Sequence, residues 1–166
     1  ALQPQNAQIR TLLETAELLS TTLRFRLLLE EILNQLQKLI SYDIATVSLI
    51  QGDRGQIVGC RGSNGLDQQR FTLDDRPLIK HVVEKRQPVL LPDIDETTTV
   101  FAGHGGLSVA SVLAVPLMAR DRVIGALTVG SCTPRAYHES TKQPVSAFAP
   151  FISATATPAM PTSTAP

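Results

Sequence analysis

The side chains best suited to chemistry concentrate in one segment, residues 93–109, which has no clear hydrophobic period. His104 lies there in a Gly-His-Gly-Gly stretch whose composition matches the oxyanion loop of esterases. A serine nucleophile needs the pattern Gly-x-Ser-x-Gly after a strand, and Ser108 lies in Gly-Leu-Ser-Val-Ala, which lacks the second glycine. We therefore interpret the segment as a loop with an exposed histidine, and we predict no catalytic residue.

Metal chemistry is not indicated either. The three histidines are far apart in the sequence, and none has a second ligand at the spacing that zinc or iron sites use. Asp93, Asp95 and Glu96 form an acidic cluster that could bind a cation, although such a cluster is more often the solvated start of a loop. The sequence predicts no metal site.

Two cysteines, Cys60 and Cys132, are the candidates for redox chemistry. Cys60 lies in a predicted strand, and we interpret it as a small buried hydrophobic residue. Two cysteines cannot form a disulfide scaffold, and the first residues show no basic region followed by an apolar run. We therefore expect a reduced, cytoplasmic environment.

Composition excludes other function classes. The chain has 166 residues, and its 15 Lys and Arg balance its 15 Asp and Glu, so charge gives no reason to expect nucleic acid or an anionic membrane as partner. The length favours one domain. The last 24 residues carry no charge and hold five of the 11 prolines, which argues against a membrane-spanning helix.

Two helices are predicted within residues 6–40. In the first, apolar residues recur at steps of three and four, the spacing of a heptad seam: Ile9, Leu12, Ala16 and Leu19. A second apolar stripe continues to residue 40. The seam either packs on the core of its own domain or joins two copies of the chain in a homodimer, and both remain open.

The remaining elements are β-rich. Periodicity and turn residues predict strands at 43–50, 56–61, 89–91, 111–118 and 123–131 and a short helix at 77–86. Both hairpins are apolar on both faces, so helices or loops must cover each side of the sheet. The sequence predicts an α+β fold around an antiparallel sheet, and a loop as long as 93–109 in such a domain tends to be functional.

Four segments, in order, resemble the GAF domain family, which includes sensory domains of bacterial signalling proteins such as sensor histidine kinases. The carboxyl-terminal hairpin, Ser-Val-Leu-Ala-Val-Pro-Leu-Met from Ser111 and Val-Ile-Gly-Ala-Leu-Thr-Val from Val123, is the clearest. Pro-Val-Leu-Leu-Pro-Asp from Pro88, the strand 43–50 and the helices within 11–40 also resemble family motifs. The resemblance spans residues 8–140.

The resemblance implies a six-stranded antiparallel sheet with helices on both faces and a small-molecule pocket between the sheet and segment 93–109. The groups best placed around such a pocket are polar or aromatic: Asp93, Phe101, His104 and Ser111. It also implies a non-enzymatic regulatory module that senses a ligand, dimerises or does both, in a protein of the two-component type.

Two GAF subfamilies test these expectations. Members that bind bilin covalently carry a cysteine in the pocket loop, and residues 94–110 contain none, so we expect neither covalent bilin nor another cofactor. The free methionine sulfoxide reductases are stand-alone GAF enzymes with cysteines in their central loops. Cys60 lies in a predicted strand and Cys132 follows the last one, so this redox function is kept as the alternative.

The end of the chain departs from the family. Residues 1–140 are predicted to form the GAF-like domain, and residues 141–166, rich in Pro, Ala and Thr, a disrupted closing helix and a disordered tail. A proline inside a helix costs about 3 kcal/mol, so Pro150 is expected to break the helix that usually connects the domain to its effector.

Overall fold

The structure is a computed structural model that describes residues 23–62, 69–94 and 109–156. Its elements follow in chain order: α1 (23–39), β1 (Ile44–Gln51), β2 (Arg54–Arg61), β3 (Arg70–Thr72), a 3-10 turn (Leu73–Asp75), α2 (Pro77–Lys85), β4 (Val89–Leu91), β5 (Ser111–Ala119), β6 (Arg122–Ser131) and α3 (Glu139–Ala156). The predicted first helix with its seam, most of the loop 93–109 and the tail beyond residue 156 lie outside the described residues.

The six strands form one antiparallel sheet in the order β3-β2-β1-β6-β5-β4. The two hairpins, β1–β2 and β5–β6, join through a ladder between β1 and β6, in which Thr46 lies opposite Thr128. The predicted α+β fold with a six-stranded antiparallel sheet is confirmed.

Two hydrophobic cores cover the two faces of this sheet. On one face, which we call the α1/α3 face, the buried stripe of α1 packs with α3 against strand residues such as Val47 and Leu127. On the other, the α2 face, Ile79 and Val82 of α2 pack with strand residues such as Ala114. Because side chains alternate along a strand, β1, β2, β5 and β6 each contribute to both cores.

A bulge in β2 shapes the α1/α3 face. The pairing register with β1 shifts between Val47 and Ser48, which leaves Val58 as an extra residue of β2. Val58 and the next residue, Gly59, then both meet the α1 core. A Cβ on Gly59 would lie 2.4 Å from Leu29 Cδ2, so glycine lets α1 approach the strand closely.

The closing helix α3 corrects the sequence-based expectation. It runs unbroken from Glu139 to Ala156 and contains both Pro144 and Pro150, where a disrupted helix was predicted. Its inward side carries five buried residues at helical spacing: Val145, Ala149, Ile152, Ser153 and Ala156. Burying a Val or Ile side chain contributes about 1.5–3 kcal/mol, and this packing outweighs the cost of a proline whose ring lies on the exposed side.

Within the described parts of the chain, no helix has both the length and the hydropathy needed to cross a lipid bilayer.

Candidate functional site

The candidate site is the centre of the α2 face, where strands β1, β6 and β5 lie side by side. The ladder sets Thr128 of β6 between Thr46 of β1 and Ala114 of β5. Ser48 lies two residues along β1 and opposite Ala126. Alternation places these side chains on the same face as the core beneath α2, so three hydroxyl residues lie within an apolar surface.

Two of these hydroxyls are buried without a partner. Ser48 is 0% exposed and Thr128 is 2% exposed, and neither hydroxyl oxygen has a hydrogen bond within the described residues. Leaving a buried hydroxyl unsatisfied costs about 1–3 kcal/mol, and buried polar groups in folded proteins nearly always have a partner. The centre of the α2 face therefore holds two buried hydroxyls whose hydrogen-bonding capacity is unused within the described residues.

The structure describes two of the four site residues predicted from the sequence. Asp93 is exposed just after the edge strand β4, and Ser111 begins β5 with its side chain fully buried. The N–H of Ile94 donates to the carbonyl of Ala110 at 2.7 Å, so these two strand ends are neighbours. Phe101 and His104 lie outside the described residues.

The side chain of Ser111 lies on the other sheet face. Alternation along β5 groups it with Leu113 and Val115, which belong to the core under α1 and α3. The backbones at Asp93 and Ser111 are thus close to each other, but the side chain of Ser111 is buried in the core under α1 and α3 whereas that of Asp93 is exposed. Ligand binding by the four residues stays a prediction.

Sequence reasoning missed Ser48 and Thr128. The strand Ile-Ala-Thr-Val-Ser-Leu-Ile carries hydroxyls two residues apart, at Thr46 and Ser48, so the period of a strand puts both on one face. That spacing was the available signal. Which face they share follows only from the register with β6.

A second polar group of residues closes one end of the sheet. Asp43 accepts a hydrogen bond from the backbone N–H of Cys132 at 2.7 Å. The phenol of Tyr137 donates to the Ser41 carbonyl at 3.0 Å, and that of Tyr42 donates to the Leu33 carbonyl at 2.8 Å. These bonds fasten the end of α1 to the segment that leads into α3.

The same residues suppress the reactivity of the exposed thiol. Partial desolvation raises the pKa of Cys132 although the residue is exposed, and the charge of Asp43 and a hydrogen bond from the thiol to that carboxylate raise it further. Burial, with the Asp43 charge next in size, also raises the pKa of Tyr137. Because the thiolate is the nucleophile, a raised pKa lowers the reactivity expected of Cys132.

Asp43→Asn is expected to raise the rate of Cys132 alkylation by iodoacetamide about two- to threefold at pH 8. Removing the negative charge lowers the pKa of the thiol toward its ordinary value, so more thiolate is present below that pKa. The asparagine oxygen can still accept the backbone hydrogen bond. The rate is measured by mass spectrometry on a Cys60→Ser background, and an unchanged or slower rate would refute the assigned role of Asp43.

The two cysteines cannot form a disulfide within one chain. Cys60 lies opposite Thr46, and Cys132 follows Thr128, the partner of Thr46, by four residues. Two strand spacings and four residues along β6 separate their Cα atoms by roughly 16 Å, whereas a disulfide needs less than about 7 Å.

The described residues also contain no group of three His, Cys, Asp or Glu side chains that could hold a metal ion.

Comparison with known proteins agrees with this architecture. No curated protein sequence matches the chain. Among solved structures, the type II free methionine-R-sulfoxide reductase from Thermoplasma acidophilum is similar, with 18% identity, a TM-score of 0.70, and coverage of 81% of this chain and 94% of that one.

Two GAF domains are also similar in fold. The GAF domain of an Acinetobacter phosphoenolpyruvate-protein phosphotransferase has 20% identity and a TM-score of 0.64, over 82% of this chain and 90% of that one. That of a two-component sensor histidine kinase from Bacillus halodurans has 14% identity and a TM-score of 0.64, over 77% and 90%. At these identities the likeness shows the fold alone.

The family itself is shown by the sequence match. The family model described as GAF domain matches residues 22–155, which is most of the chain. Its match runs through α3, so the closing helix is part of the domain. The chain belongs to the GAF domain family.

Proposed function

We propose that this GAF domain is a non-enzymatic regulatory module that senses a small molecule in the cytoplasm, as part of a bacterial signalling protein of the two-component type. The observation that carries the proposal is a pair of buried hydroxyls at the centre of the α2 face, Ser48 and Thr128, which have no hydrogen-bond partner among the residues that the structure describes. A ligand that forms hydrogen bonds with both hydroxyls would remove the free-energy cost of leaving them unsatisfied, and this gain would contribute to its binding free energy.

The surroundings define the ligand's chemistry. Around the hydroxyls the surface is apolar, formed by residues such as Ile44, Val112 and Ala114. Pockets for small ligands combine such an apolar lining with a few fixed polar groups that set orientation. The ligand we propose therefore has a compact apolar body and at least one carbonyl, carboxylate or hydroxyl group.

A thermal-shift screen with nucleotides, amino acids and 2-oxo acids tests the proposal. At least one class is expected to raise the melting temperature of the wild-type chain. Thr128→Val is expected to raise the stability of the ligand-free chain by about 1 kcal/mol, or about 2–4 °C, because it removes an unpaired hydroxyl while keeping the shape of the side chain. The same variant is expected to lose most of the ligand response.

Thr155→Val is the matched control for that variant. Its hydroxyl donates to the Phe151 carbonyl on the outer side of α3, far from the α2 face, so the ligand response should be retained. Equal ligand shifts in Thr128→Val and the wild type, or no shift with any compound, would count against sensing at this site.

We also propose that the chain forms a homodimer through its amino-terminal helix. The predicted seam of Ile9, Leu12, Ala16 and Leu19 leads to two leucines of α1 that face solvent, Leu23 at 59% and Leu27 at 58% exposure. Their spacing of four residues places both leucines on one side of α1. A partner chain would bury a surface that is costly to leave in water.

Leu23→Asp combined with Leu27→Asp is expected to shift the dimer toward monomer by at least tenfold in dissociation constant, because two charges would be buried in the interface. Light scattering over a concentration series measures this. Both side chains are exposed, so the fold should persist, with circular dichroism as the check. A variant that associates as strongly as the wild type would rule out this surface.

The alternative function is a redox enzyme of the free methionine sulfoxide reductase kind, and the fold similarity to the Thermoplasma enzyme favours it. The raised pKa of the Cys132 thiol and the separation of roughly 16 Å between the Cα atoms of the two cysteines oppose it. An assay of free methionine-R-sulfoxide reduction with dithiothreitol decides between the two functions. Turnover that disappears in Cys60→Ser or Cys132→Ser would establish the enzyme and overturn the non-enzymatic proposal.

A further inference from the structure

A cavity of about 340 Å³ lies between α1 and the end of β2. It belongs to the α1/α3 face of the sheet, since Arg61 lies opposite Ala45 in the ladder, and it is therefore separate from the centre of the α2 face. Its volume falls in the range of small-molecule pockets, about 300–1,000 Å³. The side chains that define its chemistry are Arg26, Glu30, Arg61, Leu29, Leu33 and Val58.

Two glycines of the cavity wall are held by close contacts. At Gly59 the strand approaches α1 so closely that a Cβ would overlap Leu29. Gly62 has φ +94°, and a Cβ there would lie 2.0 Å from the backbone oxygen of Asp43, so glycine is required at both positions. The bulge at Val58 adds an apolar side chain to the cavity wall.

Within the described residues, the charged side chains at the rim of the cavity form no salt bridges. This holds for Arg26 and Arg61 even though Glu30 lies one turn along α1 from Arg26. Arg61 lines the cavity together with residues of α1, and its positive charge opposes the rise that burial causes in the pKa of Tyr42. The Tyr42 phenol bonds the carbonyl of Leu33, which lines the cavity.

We propose that this cavity binds a small organic monocarboxylate with an apolar body. The guanidinium groups of Arg26 and Arg61 hold the carboxylate, and Leu29, Leu33 and Val58 contact the apolar part. Glu30 at the same rim repels a second negative charge, so a monoanion is preferred over a dianion. The proposal concerns the α1/α3 face and does not depend on ligand binding at the α2 face.

The probe is 2-naphthoate, with the neutral 2-naphthamide as its isostere, titrated into the ¹⁵N-labelled chain. 2-Naphthoate is expected to shift the amide resonances of Gly59 and Gly62, and 2-naphthamide to bind at least tenfold more weakly. Arg26→Gln and Arg61→Gln should each weaken 2-naphthoate binding about tenfold, since a hydrogen bond between charged groups is lost. Arg24→Gln, on the opposite side of α1, is the matched control and should bind like the wild type.

Three results would overturn the proposal: equal binding of the acid and the amide, no difference between Arg24→Gln and the two cavity variants, or shifts confined to the α2 face around Thr128. Glu30→Gln supplies an independent test that leaves both arginines in place. The Glu30→Gln variant should bind 2-naphthoate more tightly than the wild type does. Its increase in affinity should be largest for the dianion 2,6-naphthalenedicarboxylate. An unchanged preference for the monoanion in Glu30→Gln would contradict the assigned role of the rim.

Discussion

Gly125→Ala is expected to lower the free energy of unfolding by about 3 kcal/mol or more, which corresponds to a fall in melting temperature of roughly 6–12 °C. Gly125 lies in the middle of β6, between Leu49 of β1 and Leu117 of β5. A Cβ there would lie 2.0 Å from the backbone oxygen of Ser48, closer than any real Cβ contact. The backbone of β1 or β6 would have to move, and both are central strands.

Gly52→Ala is the control for this substitution. Gly52 has φ +65° in the β1–β2 turn, and nothing lies within 4 Å of its missing Cβ, so only the backbone conformation opposes a side chain. That cost is about 1–2 kcal/mol. Thermal and urea unfolding of both variants measure the difference. A Gly125→Ala variant that loses no more stability than Gly52→Ala would contradict the close approach of β1 and β6.

Pro150→Ala is expected to raise the free energy of unfolding by about 2 kcal/mol, or roughly 4–8 °C in melting temperature. The ring of Pro150 is exposed in the interior of α3, where its missing N–H would have bonded the Ser146 carbonyl. Removing the proline and restoring the bond stabilises the folded chain by about 3 kcal/mol. Alanine also gives the unfolded chain more conformational freedom, which lowers the net gain by up to about 1 kcal/mol.

Pro144→Ala gives the comparison within the same helix. Pro144 lies only one turn beyond the start of α3, where fewer backbone bonds depend on it, so its gain in stability should be smaller. Differential scanning calorimetry of both variants ranks them. A Pro150→Ala variant that is no more stable than the wild type would show that α3 is not the continuous helix described above.

The strands were predictable because their signals are local. The hairpins carry β-branched residues and turn residues, and the predicted spans 43–50 and 56–61 match β1 and β2 to within two residues. β3 was not predicted, because its three residues, Arg-Phe-Thr, include one apolar side chain, whereas β4, of the same length, is the apolar run Val-Leu-Leu between two prolines. The formation of β3 depends on pairing with β2 across a turn.

The closing helix was mispredicted because its stability is not local. The two prolines of α3 are visible in the sequence, whereas the burial of Ile152 and Val145 against the sheet depends on the fold. The candidate site likewise combines residues that are visible in the sequence with an arrangement that depends on the fold. Its hydroxyls are scattered between β1 and β6, and only the ladder brings Ser48 and Thr128 to one surface. The cavity at Arg26 and Arg61 likewise joins residues from a helix and a strand.

The central claim, that the α2 face binds a small molecule, is tested most directly by amide chemical-shift mapping of the ¹⁵N-labelled chain with the compounds of the thermal-shift screen. The predicted result is a saturable set of shifts at Ser48, Ala126 and Thr128, with little change at Val145 of α3. Shifts that cluster away from the α2 face, or their absence with every compound, would contradict the claim.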